Sequence, residues 1–157
     1  MNVQKVFQAI SLFFMVVSFV LLLSTQSVVD SWGNISASGL EGIFGGNGYR
    51  ATWTAILAFG LLIFSMFAII CAMVLKYQNK KNWELAVFFS FVSAIALVLC
   101  GFLLFFEPSV FAEANDITSE DLRLGVGWLV SLILATVAGI ILFVSLFFTK
   151  QRIRTTF

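Results

Sequence analysis

Residues 85–106 read LAVFFSFVSAIALVLCGFLLFF, an unbroken apolar run of 22 residues between Glu84 and Glu107. About 20 such residues, rising 1.5 Å each, carry an α-helix across the hydrocarbon core of a bilayer. Three other stretches share this character: 6–23, 52–75 and 126–148, of 18, 24 and 23 residues. None of the four contains Asp, Glu, Lys or Arg. The runs are continuous rather than alternating, which excludes the strands of a membrane barrel. The sequence therefore predicts an all-α integral membrane protein, a single domain over 1–157 built as a four-transmembrane-helix antiparallel bundle.

Composition points the same way. Of 157 residues, 61% are hydrophobic, 19 are Phe, and only 11% are charged, against about a quarter in soluble domains. A soluble chain of this length lacks the interior to hide so much apolar surface. Lys5 before the first run and Thr25-Gln26-Ser27 after it resemble a secretory signal, but the apolar length fits a spanning helix better.

Charge sets the expected orientation. Lys5, the link 76–84 with Lys76, Lys80 and Lys81, and the tail with Lys150, Arg152 and Arg154 hold seven of the nine basic residues. The other side carries Arg50 and Arg123 against seven acids, from Asp30 to Asp121. Basic residues flank the cytoplasmic face, so both termini and the inner loop 76–84 are expected in the cytoplasm, in the cell membrane. Trp83 then falls at the inner interface, with Trp53 and Trp128 as ring anchors at the outer one.

The outer loops, 24–51 and 107–125, differ. Loop one has six glycines, yet also Trp32, Ile35, Leu40, Ile43, Phe44 and Tyr49. So many apolar side chains suggest a small ordered cap, with Asn47-Gly48 as a tight turn because both residues tolerate positive φ. Loop two opens with Glu107-Pro108, which is expected to end the third helix because proline disfavours helical backbone in the residue before it. Thr118-Ser119-Glu120-Asp121 has the form of an N-cap with an acidic first turn.

Residues that carry chemistry are scarce. The chain has no His and two Cys, Cys71 and Cys100, placed in different leaflets by their distance from the charged ends. With no ionisable residue in a span, a proton-coupled pump or an intramembrane hydrolase has nothing to work with. No cofactor or metal is expected, and no basic run suggests nucleic acid. The hydroxyls in the spans, such as Ser11, Ser18, Ser65 and Ser93, are expected to bond their own helix backbones. Asn34-Ile35-Ser36 has the form of a glycosylation sequon, and Thr155-Thr156-Phe157 that of a carboxylate tail that adds to a sheet edge.

The most specific pattern lies in the fourth run, where Gly127, Ser131, Ala135 and Gly139 recur every four residues. Ala86, Ser90 and Ala94 form a shorter version in the third. Such rows let backbones approach closely. They are expected to pack helices within the bundle, leaving Phe-rich faces with Phe88, Phe89, Phe91, Phe105, Phe106, Phe143, Phe147 and Phe148 turned to lipid or a partner.

Four spans, inside termini, a longer first outer loop and a tight inner hairpin together resemble the claudin and peripheral-myelin-protein tetraspans. Leu124-Gly125-Val126-Gly127-Trp128 is similar to the glycine–tryptophan entry of claudin fourth helices, and Trp32 with Gly39-Leu40 sits where that family has its first-loop motif. Loop one departs from the family in lacking cysteines and in being about half as long, so no junction-forming role transfers to a residue here. The resemblance implies a four-helix bundle with an ordered outer cap.

The expected function is that of a non-enzymatic tetraspan acting by contact, as a scaffold, adhesion or accessory subunit of a membrane complex. Its partners would be the lipid bilayer and a protein or a second copy within the membrane, with Trp32, Phe44 and Tyr49 as contact residues. The alternative is a subunit of an oligomeric channel or transporter, in which the few hydroxyls would line water.

Overall fold

The computed structural model describes residues 3–30, 35–78, 83–117 and 122–154. Four long helices account for most of it: α1 (Val3–Ser24), α3 (Trp53–Gln78), α4 (Trp83–Ala114) and α5 (Val126–Arg154). Each contains a stretch long and apolar enough to cross a membrane. Between α1 and α3 lie the strands β1 (Gln26–Val29) and β2 (Ser36–Ser38) and the short helix α2 (Gly39–Phe44), and β3 (Arg123–Leu124) precedes α5. Trp32, Asn34, the segments 79–82 and 118–121 and the tail 155–157 lie outside the described residues, and with them the expected sequon, N-cap and tail motif.

The helices form a ring in the order α1, α5, α4, α3. The seams α3·α4, α1·α5 and α4·α5 are extensive, whereas α1 and α3 touch over a much shorter stretch. One rule generates the three closed seams. Every long helix buries residues spaced alternately four and three apart: Gln4, Gln8, Ser11, Met15, Ser18 and Leu22 in α1, and Trp128, Ser131, Ala135, Ala138, Leu142 and Ser145 in α5. In α3 the stripe is Ala55, Ala58, Leu62, Ser65, Ile69 and Ala72; in α4 it runs from Ala86 through Ser93, Cys100 and Glu107 to Phe111. A repeat of seven residues, slightly short of two α-helical turns, keeps one face on its neighbour only if the helices supercoil left-handedly.

The small row at four-residue spacing divides between two neighbours, because a four-residue step drifts around a helix of 3.6 residues per turn. A Cβ on Gly127 would overlap the Thr25 side chain beside α1, whereas one on Gly139 would press on the Ala94 carbonyl, Leu97 and Val98 of α4. Ala86, Ser90 and Ala94 are all buried in α4.

Two further expectations change. Pro108 does not end the third helix: α4 runs on to Ala114, with the proline inside it. The stop comes at Asn115 and Asp116, where Asp116 takes φ 53° and the Ile117 amide donates back to the Ala112 carbonyl at 3.0 Å. Such a left-handed residue with a back-reaching bond is a standard helix terminator. Proline only biases the residue before it, and here Glu107 and Phe111, both fully buried, hold the extra turns in place. Trp128, expected as an interfacial anchor, is instead fully buried, its indole N–H donating to the Leu22 carbonyl at 3.0 Å. A side chain of that size with one donor can be buried when the donor finds an acceptor.

Candidate interaction surface

Loop one folds into a cap on one end of the bundle. β1 is the central strand of an antiparallel sheet of order β2-β1-β3, so a segment just before α5 is tied to the segment just after α1. The cap is seated directly on helix ends. The Gly39 amide donates to the Thr25 carbonyl at 2.7 Å, and the Gly125 amide to the Ser27 carbonyl at 2.9 Å. A Cβ at either glycine would overlap backbone oxygen, of Leu22 at Gly39 and of Gln26 at Gly125. Glycine at these positions is a requirement of close approach.

Although only six residues long, α2 is firmly capped. The Ser38 hydroxyl accepts the Glu41 amide, while the Glu41 carboxylate accepts the Ser38 amide at 2.7 Å, a reciprocal capping box. The Asn47 side-chain amide donates to the other carboxylate oxygen. The Ser38 amide and, after it, the Asn47 side chain lower the pKa of Glu41 below the ordinary carboxylate value. Asn47 and Gly48 have φ of 49° and 92° and close the two-residue hairpin between Gly46 and Tyr49, whose amides and carbonyls exchange bonds of 2.9 Å. The turn is the one expected from Asn47-Gly48.

Beneath the cap lies Glu107, expected at the start of loop two but fully buried within α4. Glu107 accepts hydrogen bonds from the Thr52 hydroxyl at 2.6 Å and from the Thr54 hydroxyl. Thr52 immediately precedes α3, so the acid of one helix caps the positive end of its neighbour. The Thr52 amide donates to the Gly42 carbonyl at 3.1 Å, which extends the same network into α2. Its bonds to the two threonines are those of a satisfied cap. No group of three or more His, Cys, Asp or Glu that could hold a metal occurs among the described residues. Glu107 follows Ala86, Ser93 and Cys100 at intervals of seven, a signal that would have placed it in the helix.

Hydroxyls within the bundle bond across seams rather than only along their own helices. Ser18 and Ser131 lie 2.8 Å apart, and the Ser131 hydroxyl reaches the Ser18 carbonyl at 2.6 Å. Ser11 donates to the Ala138 carbonyl at 3.2 Å. Ser65 and Ser93 donate to each other's carbonyls at 3.5 and 3.1 Å, and the Cys100 thiol faces the Ala58 carbonyl at 3.3 Å. Gln8 donates to the Ser90 hydroxyl at 3.1 Å. Cys71 is exposed and unpaired with Cys100.

The expected contact residues separate. Tyr49 is half-buried, its ring 5.3 Å from that of Phe111 under the cap. Phe44 is 66% exposed, and Leu40, four residues earlier on the same face of α2, is 51% exposed. Trp53 is also exposed at the start of α3. Phe88, Phe91, Phe105, Phe143 and Phe147 point outward from α4 and α5, with Phe91 and Phe143 packed ring to ring across that seam. No family model matches this chain, and no curated protein or solved structure matches it either.

Proposed function

We propose that this chain is a non-enzymatic multi-pass membrane protein that acts by contact, as a scaffold or accessory subunit, with both termini in the cytoplasm and the cap outside. The carrying observation is α2. A six-residue helix is unstable by itself, because its first turn is fixed at a net cost. Here a capping box, the Asn47 side chain and the Gly39 and Thr52 backbone bonds hold it in place. What that framework presents outward is Leu40 and Phe44. An ordered support under exposed large apolar side chains is the character of an interaction surface.

The hydroxyls support this reading over the channel alternative. Ser11, Ser18, Ser65, Ser93 and Ser131 are buried and bonded between helices, so they are spent on the bundle and leave its outer faces apolar. The test is the size of the assembly extracted from native membranes in mild detergent. Leu40→Ser should shrink the larger species while leaving thermal stability unchanged, and adding Phe44→Ser, which also gives up the ring contact with Phe59, should remove what remains. An assembly of unaltered size would end the proposal for α2.

A further inference from the structure

Three seams of the ring are closed by Gly, Ala, Ser or Cys on their walls, and the fourth is not. Between α1 and α3, the side chains of Phe19, Ile63, Met66, Phe67 and Ile70 line a groove of about 240 Å³ with no polar atom on its walls. We propose that this groove binds one acyl chain of a membrane phospholipid, which completes the ring where the helices do not. The proposal rests on the reading that the four helices span a bilayer.

The walls choose the occupant. A polar ligand or a water chain would find no hydrogen-bond partner there, and desolvating a polar group without one is costly. A partner helix, about 10–12 Å across with its side chains, needs small residues to bring backbones close in lipid. The closed seams of this molecule have them, at Ser18 and Ser131, at Ser65 and Ser93, and at Gly101 and Gly139. The α1–α3 groove has none. A flexible hydrocarbon chain adapts to irregular walls of Met and Phe, which themselves adjust by rotamer.

Depth agrees with the chemistry. Ile63 is ten residues along α3 from Trp53, or about 15 Å at 1.5 Å per residue, near the middle of a hydrocarbon core of about 30 Å. On the cap side, Phe19 stacks on Phe59 with ring centres 5.4 Å apart, and Phe59 meets Phe44 at 6.0 Å. This ladder separates the groove from the cap, so the chain enters sideways from the lipid.

The experiment uses the full chain in nanodiscs of phosphatidylcholine carrying a photoactivatable diazirine midway along one acyl chain, with cross-linked residues mapped by mass spectrometry. Phe88 and Ile95 on α4 are the reference, because Ser93 of α4 bonds to Ser65 at this depth and they are 58% and 44% exposed, against 66% for Phe67. Simple solvation by lipid would label these surfaces comparably. Residence in the groove should raise the yield at 63–70 several-fold over Phe88 and Ile95. Met66→Trp, which fills the groove, should abolish the excess at unchanged thermal stability, and Ile63→Trp repeats the test independently. Equal yields in the parent protein would overturn the proposal, as would an excess that survives in both variants or cross-links from the groove to a second copy. Loss of labelling on both surfaces would instead sink the spanning reading on which the proposal stands.

Discussion

The α1·α5 seam and the α1–α3 seam are built on the same helix and end differently. Toward α5, α1 presents Ser11 and Ser18, and the backbones come close enough for hydroxyls to reach carbonyls across the gap. Toward α3 it presents Phe19, and a groove remains. In water both faces would be driven together by burial of apolar area. In lipid that incentive is absent, and close packing of small side chains decides which faces meet. On the proposed reading that these helices span a bilayer, hydrophobicity places them there and the placement of small residues decides how they associate.

The sharpest way to break this comparison is to add volume to the closed seam. Ala135→Leu should destabilise the bundle by about 1–3 kcal/mol, the usual cost of overpacking a filled interior. Ala135 is fully buried, so thermal unfolding in detergent should show a clear fall. A variant matching the parent would mean that the seven-residue stripe does not hold α5 in place.

Removing the acid beneath the cap comes next. Glu107→Ala leaves the Thr54 hydroxyl without its acceptor, while the Thr52 hydroxyl keeps the Gly42 carbonyl at 3.3 Å, at about 1–3 kcal/mol for an unsatisfied buried group. Its loss should also free the cap, seen as faster amide exchange in α2. If stability falls while α2 exchange is unchanged, the network ends at α3 and does not reach the cap.

Deleting one hydroxyl is a smaller change. Ser18→Ala should cost about 0.6 kcal/mol, a typical value for a hydrogen bond between membrane helices. The matched change in the open seam, Met66→Leu, should cost less still, because volume-conserving apolar swaps are well tolerated. Equal losses for the two variants would erase the distinction between the seams.

The smallest effect expected is one of pH on the cap. The Glu41 pKa is lowered in the folded chain, chiefly by the Ser38 amide and then by Asn47. A lowered folded value means the unfolded state binds protons more readily, so the contribution is fully present above the ordinary carboxylate pKa and is lost as pH falls through the lowered value. Protection of the α2 amides, measured against free-chain exchange at the same pH, should fall over that acid range in the parent protein and not in Glu41→Gln. A parent whose α2 protection does not respond to acid would remove Glu41 from the cap's support.

Local rules carried much of this molecule. The four apolar runs read directly as helices because the bilayer's thickness fixes the length required, and Asn47-Gly48 announced its turn because few residue pairs accept positive φ twice in succession. The exposed Phe44 was visible as a large apolar residue in a glycine-rich loop, although only its capped support makes it a surface. Tertiary structure decided the rest. Pro108 signals a stop by a local preference, and the packing of Glu107 and Phe111 overrode it. Trp128 is amphipathic in any context, and only the Leu22 carbonyl made its burial tolerable. The small residues of α5 suggest close packing in sequence. Which of them face α1 and which α4 depends on how 3.6 residues per turn meets a seven-residue repeat, and that is settled only when the four helices pack together.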